Sequence, residues 1–141
     1  MTIAEDQTRD ARAMLDRLWS RGRAFLGTDF AIMGGAMTWV SERNLVASIS
    51  NGGGFGVLAS GSMSPEQLDA EITGTKGLTA KPFGVNLITM HPSLDELIDV
   101  CAGQRVGHVV LAGGLPPSAA IRRVRETGAK AVCFAPTADS P

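Results

Sequence analysis

Short β-rich runs alternate with helical stretches along most of this chain, and that alternation limits the possible fold more than any other feature. Successive runs begin about 20 to 28 residues apart, which is the spacing that βα units require. Strands separated by helices form a mainly parallel sheet with right-handed crossovers. Two architectures satisfy this pattern: an open doubly wound sheet and a (β/α)8 barrel. The five predicted strands are residues 30–33, 55–59, 83–89, 108–111 and 131–135.

Helices are predicted before, between and after these strands. The first, at 8–23, is amphipathic and is expected to pack beneath the main domain, because its apolar residues recur at helical spacing. Ser64 and Ser93 each begin a capping box, and Gly128 is expected to end a helix in the left-handed conformation. The apolar residues of the first helix are Ala11, Met14, Leu15, Leu18 and Trp19, and the remaining predicted helices are 41–50, those that begin after Ser64 and Ser93, and 117–127.

Composition indicates one globular domain with a substantial core. The chain has 141 residues, of which 44% are hydrophobic and 19% charged. A net charge of -1 argues against a nucleic-acid or anionic-membrane partner. No apolar run approaches the roughly 20 residues that span a bilayer, and acidic residues near the N-terminus favour a cytoplasmic location. Cys101 and Cys133 are too isolated for a disulfide framework or a metal site.

Clusters of glycine lie next to two of the predicted strands. The run Gly34-Gly35-Ala36-Met37 follows the first strand, and the run Asn51-Gly52-Gly53-Gly54-Phe55-Gly56 leads into the second. Glycine clusters at strand ends mark special dihedral angles or the close approach of another group. We expect the two clusters to lie in neighbouring positions beside a flat cofactor. The dinucleotide fingerprint G-x-G-x-x-G is absent after the first strand.

Three ordered motifs together resemble a known family. They are Ile32-Met33-Gly34-Gly35-Ala36-Met37, Asn51-Gly52-Gly53-Gly54-Phe55-Gly56 and Lys81-Pro82-Phe83-Gly84-Val85-Asn86-Leu87. In this order and at these separations, the sequence from about residue 30 to 136 resembles the N-terminal part of the nitronate monooxygenases, formerly called 2-nitropropane dioxygenases. Close relatives of that family are the flavin-dependent enoyl-acyl carrier protein reductases of type II. The resemblance implies a TIM-type barrel that holds FMN at the carboxyl ends of its strands.

The resemblance also assigns residues to the cofactor. The main chain after the first strand would line the isoalloxazine ring, an amide at the third strand would bond the ring or the ribityl chain, and a bare loop after the fourth strand would approach ring or substrate. His91 and His108 are not assigned as the catalytic base, because that base belongs to a motif after a sixth strand, beyond Pro141. The cofactor residues are Gly34, Gly35, Ala36, Met37, Asn86, Gly113 and Gly114.

Flavin redox chemistry is the activity that the resemblance implies. A nitronate monooxygenase oxidises an alkyl nitronate with O2 to a carbonyl compound and nitrite. The alternative is an NAD(P)H-dependent enoyl-acyl carrier protein reductase. A second alternative is a catalytically inert fragment or an interaction partner. No metal is expected.

The length of the chain conflicts with a complete barrel. A (β/α)8 domain needs roughly 200 residues or more, whereas the sequence stops after about five strands. We therefore expect a helical extension at 1–27 and, at 28–141, the N-terminal part of an FMN-binding barrel that is incomplete. We also expect weak or absent FMN binding, and self-association through open sheet edges.

Overall fold

A computed structural model of the chain describes residues 3–134, with side chains from residue 8 onward. Within that range, helices and strands alternate as the sequence predicts. Their bounds are α1 Ile3–Leu26, β1 Met33–Gly34, α2 Arg43–Asn51, β2 Phe55–Ala59, α3 Pro65–Leu78, β3 Phe83–Ile88, α4 Leu94–Gly103, β4 His108–Ala112, α5 Ser118–Glu126 and β5 Lys130–Cys133.

The strands form a single parallel sheet in the order β1-β2-β3-β4-β5. A doubly wound sheet reverses its strand order at a switch point, and this sheet does not reverse. The five strands form half of a TIM-type barrel with alternating helices, so the barrel prediction is confirmed and the open-sheet alternative is excluded.

Alternate strand residues contribute to two apolar layers. Leu58, Val85 and Leu111 are fully buried in the larger layer, between the sheet and the helices. Phe55 and Val57 belong to a smaller cluster on the concave face, inside the half-barrel. Burying one such side chain contributes about 1.5–3 kcal/mol, so the sheet is stabilised on both faces.

The end of α1 closes the amino-terminal end of the half-barrel. Leu26 is buried in the concave-face cluster, and His108 Nε2 lies 2.7 Å from the Phe25 carbonyl oxygen. The His108 ring packs edge-on against Phe55, with centroids 4.8 Å apart. Burial lowers the pKa of His108. These contacts give His108 a structural role at the amino-terminal ends of the strands.

The predicted packing of the α1 apolar face is confirmed only at Trp19, which packs edge-on against Phe30. Met14, Leu15 and Leu18 are 57%, 41% and 63% exposed. A helix of 24 residues is about 36 Å long, and only its last turn reaches the concave-face cluster. Helical periodicity identified the apolar face of α1 but could not show how much of that face is buried against other elements.

Local helix signals are confirmed at two of three positions. Ser64 forms the full capping box with Gln67, and Gly128 follows α5 with a φ of +87°. Ser93 makes no side-chain capping bond. Instead its N–H donates to His91 Nδ1 at 3.1 Å, so the histidine accepts the bond that a capping box gives to the side chain at Glu96.

The edge strands are shorter than predicted. The first contains only Met33 and Gly34. Before it, the Phe30 N–H donates to the Gly53 carbonyl and the Ile32 carbonyl accepts from the Phe55 N–H, each at 2.9 Å. The last begins at Lys130. Its predicted end at Ala135, and the closing residues 137–141, lie outside the described residues.

Both cysteines are unpaired, as expected. Cys101 is buried, and burial raises the pKa of its thiol to about 12, whereas Cys133 is half-buried. No helix among the described residues has the length and apolar character to cross a membrane.

Candidate functional site

The loops that follow the strands meet along one edge of the sheet, here called the rim. Gly61, after β2, lies between the β1 loop and the end of β3: a Cβ there would stand 3.9 Å from Thr38 Oγ1 and 3.1 Å from Ile88 Cγ1. A Cβ on Gly113, after β4, would stand 2.9 Å from the same Ile88 side chain. Thr89 N–H donates to the Ala112 carbonyl at 2.8 Å. The loops after β1, β2, β3 and β4 are therefore neighbours.

The bare residues of the β1 loop differ in their surroundings. A Cβ on Gly34 would lie 2.5 Å from Ile49 Cδ1, so this glycine allows α2 to pack against the strand. A Cβ on Gly35 would meet nothing within 4 Å. Ala36 packs against the concave-face cluster, and Met37 is 53% exposed. Of the four predicted residues, Gly35 to Met37 border the open rim, whereas Gly34 faces the helix layer.

Ser41 fastens this loop, and sequence reasoning missed it. Its hydroxyl donates to the Gly35 carbonyl at 3.1 Å and accepts from the Met37 N–H at 2.9 Å. Its own carbonyl accepts from the Ala59 N–H at 3.0 Å. The buried hydroxyl thus holds main-chain atoms of the loop in fixed positions beside β2.

Asn86 lies on the concave face near the rim. Its ladder neighbours are Ala59 and Val110, and the residue is 9% exposed. The Asn86 carbonyl accepts from the Ser60 hydroxyl at 2.6 Å. No hydrogen bond among the described residues uses its side-chain amide. Because every fully buried polar side-chain atom among them has a partner, the unpartnered amide atoms of Asn86 are not fully buried. The amide is therefore available to a group inside the half-barrel.

Gly113 and Gly114 form the bare loop after β4. Their φ angles are +87° and +143°, values that side-chain-bearing residues rarely adopt. Both residues are exposed. Main-chain atoms of this loop are therefore open to a ligand, opposite the β1 loop across the ends of β2 and β3.

The second glycine cluster does not lie at the rim, and our expectation of neighbouring clusters is wrong. Gly52, Gly53 and Gly54 connect the end of α2 to the start of β2, at the amino-terminal end of the sheet. Gly53 has a φ of +90° and its carbonyl accepts from Phe30 N–H at 2.9 Å. These glycines make the helix-to-strand turn. In a parallel sheet, a run that precedes a strand lies at the opposite end from a run that follows one, so the order of the motifs along the chain already implied this separation.

Large apolar side chains also surround the rim, and the sequence analysis did not single them out as a group. Trp39 is 84% exposed and has a φ of +67°, unusual for a bulky residue. It borders a cleft of about 350 Å³ that also includes Ser62, Met63 and Gln67. The exposed apolar residues in these loops are Met37, Trp39, Val40, Met90 and Leu115.

The charges nearest the rim are already paired. Glu42 accepts from the N–H groups of Asn44 and Leu45, and the Asn44 bond is the main cause of its lowered pKa. Glu71 is buried and accepts from the Arg43 N–H at 2.6 Å and from its guanidinium at 2.5 and 3.0 Å. These bonds close the N-terminus of α2 to any anion.

The rim therefore fits one part of FMN and not another. Bare main chain at Gly35, Gly113 and Gly114, and the free amide of Asn86, suit a planar ring with polar edges. The rim loops 35–42, 60–64, 89–93 and 113–117 contain no lysine or arginine. Nothing in these loops neutralises a phosphate. Among the described residues, no cluster of potential metal ligands is present.

The sequence is similar to known oxidoreductases along most of its length. A family model described as "Nitronate monooxygenase" matches residues 20–140. A Mycobacterium tuberculosis protein, (3aS,4S,5R,7aS)-5-hydroxy-7a-methyl-1-oxo-octahydro-1H-indene-4-carboxyl-CoA dehydrogenase, is 35% identical over 74% of this chain and 29% of its own length. A probable nitronate monooxygenase of Staphylococcus haemolyticus is 39% identical over 44% of this chain and 17% of its own.

Solved structures give the same fold. FabK from Thermotoga maritima matches with a TM-score of 0.77 and 35% identity, covering 80% of this chain and 36% of FabK. Nitroalkane oxidase from Streptomyces ansochromogenes matches with a TM-score of 0.73 at 24% identity, covering 84% of this chain and 44% of that chain, a likeness of fold alone. The chain spans less than half the length of each of these proteins.

Proposed function

Because the chain belongs to the nitronate monooxygenase family, we propose that it forms the flavin-facing part of an FMN-dependent oxidoreductase that oxidises alkyl nitronates with O2. The products would be a carbonyl compound and nitrite. Membership places the chain in an oxidoreductase family whose substrates are small molecules. FMN as the cofactor and the nitronate as the substrate are our proposal. So is the division into a helical extension at 1–27 and barrel at 28–141.

The convergence of the bare loops at the rim carries this proposal. A tricyclic ring can lie against main chain only where side chains are absent or thin. Gly35 and Gly113 supply such surfaces on opposite sides of the Asn86 amide. Bound FMN would supply reversible electron transfer at its ring, and the residues of this chain would hold the ring in place.

Each rim residue would have a defined task. The Asn86 amide would donate to or accept from the polar edge of the ring, and the bond from Ser60 to its carbonyl fixes the strand that carries it. Ser41 would keep the Gly35 carbonyl and the Met37 N–H in position. Exposed Trp39, Met90 and Leu115 would exclude water above the ring.

Binding of riboflavin and FMN tests the cofactor part of this proposal. Because the rim loops lack basic residues, we expect both flavins to bind this chain weakly and with equal affinity, followed by flavin fluorescence. Asn86→Leu should weaken both about tenfold, since a charge-free hydrogen bond in a desolvated site contributes about 0.5–1.5 kcal/mol. Gly103→Ala, at an exposed position with no neighbour within 4 Å, is the matched control. Affinities unchanged by Asn86→Leu would contradict the assignment.

A second candidate substrate class is an acyl thioester. The Mycobacterium tuberculosis and Rhodococcus jostii relatives, 35% and 45% identical over their matched segments, are named as dehydrogenases of a carboxyl-CoA compound. This agrees with the enoyl thioester reductase alternative from the sequence. The electron donor would then be NAD(P)H, and a hydride would pass from the reduced flavin to the enoyl group.

Anaerobic reduction distinguishes the two candidates. The flavin-loaded enzyme that contains this half-barrel is mixed with an alkyl nitronate or with NAD(P)H, and bleaching of the flavin absorbance is recorded. Bleaching by the nitronate supports the monooxygenase. Bleaching by NAD(P)H, reversed by an enoyl thioester, supports the second candidate. Bleaching by neither would contradict both.

A further inference from the structure

A second cleft, of about 380 Å³, lies at the amino-terminal end of the strands. It is lined by the end of α1 and by residues at the starts of β3, β4 and β5, so it lies at the opposite end of the sheet from the rim. Among the residues that the structure describes, its charged lining residues are Lys76, Lys81, Arg105 and Lys130, and none is aspartate or glutamate. The whole chain has 13 basic and 14 acidic residues. The positive charge of the cleft therefore reflects where the basic residues lie in the fold, because the chain as a whole has no excess of them.

Among the described residues, none of these four positive charges has a carboxylate within salt-bridge distance. Lys76 Nζ donates to the carbonyl and the side-chain oxygen of Gln104, at 2.5 and 2.9 Å. Lys130 Nζ donates to the Phe25 carbonyl. All three acceptors are uncharged. None of the salt bridges among the described residues includes any of the four cations.

Helix dipoles account for only part of this cluster. The C-termini of α3 and α4 lie near Lys76 and Arg105, and cations are favourable there. Each helix end carries about half a negative charge, whereas four full positive charges surround the cleft. Lys130 bonds the Phe25 carbonyl in the last turn of α1, whereas Lys81 lies just before β3 and makes no side-chain bond to a helix end among the described residues.

Arg105 occupies a position that its backbone disfavours. It follows α4 with a φ of +50°, and the left-handed position after a helix usually takes glycine or asparagine. A long side chain is retained there at a conformational cost. Arg105 N–H donates to the Ala102 carbonyl and Val106 N–H to the Cys101 carbonyl, each at 2.9 Å, so the left-handed residue ends α4 at the edge of the cleft.

We propose that this cleft binds a small phosphate-bearing anion, either inorganic pyrophosphate or the diphosphate group of a nucleotide. Arg105 would contact the phosphate oxygens through its planar guanidinium, and the lysines would act as point charges. Carbonyl bonds hold Lys76 and Lys130 in place before the anion arrives. The site is separate from the rim, so it neither requires nor tests flavin binding.

Calorimetric titration of the full chain with pyrophosphate and with ADP, at constant ionic strength, tests the proposal. Arg105→Asn removes the charge and relieves the backbone, so the variant should be at least as stable as the wild type in urea unfolding. It should nevertheless bind pyrophosphate about tenfold more weakly, through loss of charge-assisted hydrogen bonds. Arg122→Gln removes the same charge from an exposed position on α5 and should bind like the wild type.

The same titration distinguishes the two sources of phosphate. ADP binding at least as tight as pyrophosphate supports a nucleotide, and weaker ADP binding supports the inorganic anion. Sulfate at the same ionic strength should bind more weakly than pyrophosphate. The proposal is overturned if pyrophosphate does not bind, if sulfate binds equally well, or if Arg105→Asn and Arg122→Gln change the affinity equally.

Discussion

At the scale of single residues, the glycines of the rim are required for different physical reasons. Gly34 leaves room for Ile49, and Gly35 faces open space. Gly113 combines a φ of +87° with a side chain of Ile88 2.9 Å from where its Cβ would stand. The sequence shows all three as bare positions. Only the structure distinguishes the glycine that packs a helix from those that expose main chain.

Gly113→Val should destabilise the protein by about 1–3 kcal/mol, because a β-branched residue is strained at positive φ and would press on Ile88. Urea unfolding measures this cost. Gly103→Ala, where nothing lies within 4 Å, should change the free energy of unfolding by less than about 1 kcal/mol. Equal effects of the two substitutions would show that the β4 loop is not held in this conformation.

His108 should make stability depend on pH. Burial lowers its folded-state pKa, so the unfolded chain takes up a proton first as the pH falls below about 6.5. Protonation thus favours unfolding, and the free energy of unfolding should fall between pH 7.5 and 5.5. In His108→Gln this part of the slope should disappear. Parallel slopes for the two proteins in urea unfolding would contradict a buried neutral His108.

At the scale of elements, helix α3 and helix α4 begin in different ways. Ser64 accepts from the Gln67 N–H and completes a capping box, whereas Ser93 makes no capping bond. Ser64→Ala should therefore destabilise the protein by about 1 kcal/mol, and Ser93→Ala by much less. Thermal unfolding of the pair measures the difference. A larger effect of Ser93→Ala than of Ser64→Ala would contradict the absence of a side-chain capping bond at Ser93.

The sequence predicts these elements better than it predicts their partners. Strand positions followed from alternation, because each βα unit is encoded locally, whereas the strand order followed from the resemblance to a barrel family. The exposed face of α1 and the burial of Glu71 against Arg43 could not be predicted. Both depend on which distant element lies opposite. The exposed apolar side chains of the rim loops, Trp39 among them, were missed for the same reason, since such loop residues show no periodicity in the sequence.

At the scale of the whole molecule, the half-barrel has two open strand edges within residues 3–134. In that range strands β1 and β5 each have one neighbour, and Met33 and Phe134 are 38% and 70% exposed there. Open parallel edges promote pairing between chains. We expect the mass measured by light scattering to rise with protein concentration.

Two substitutions distinguish self-association through the strand edges from nonspecific association of exposed apolar side chains. Met33→Lys should reduce association, because a charge on an edge strand opposes pairing. Leu78→Lys is the matched control, since Leu78 is 47% exposed at the end of α3, away from both edges. A monomer at every concentration, or equal effects of both substitutions, would contradict association through the edges.

The central claim is that the rim formed by the strand-end loops accepts a flavin ring, and amide chemical-shift mapping tests it most directly. Riboflavin is titrated into the isotope-labelled chain, and the amide shifts of its glycines are followed. The account predicts shifts at Gly35, Gly61, Gly113 and Gly114, with Gly53 and Gly54 at the opposite end unchanged. Shifts centred on Gly53 and Gly54, or none at the rim, would contradict it.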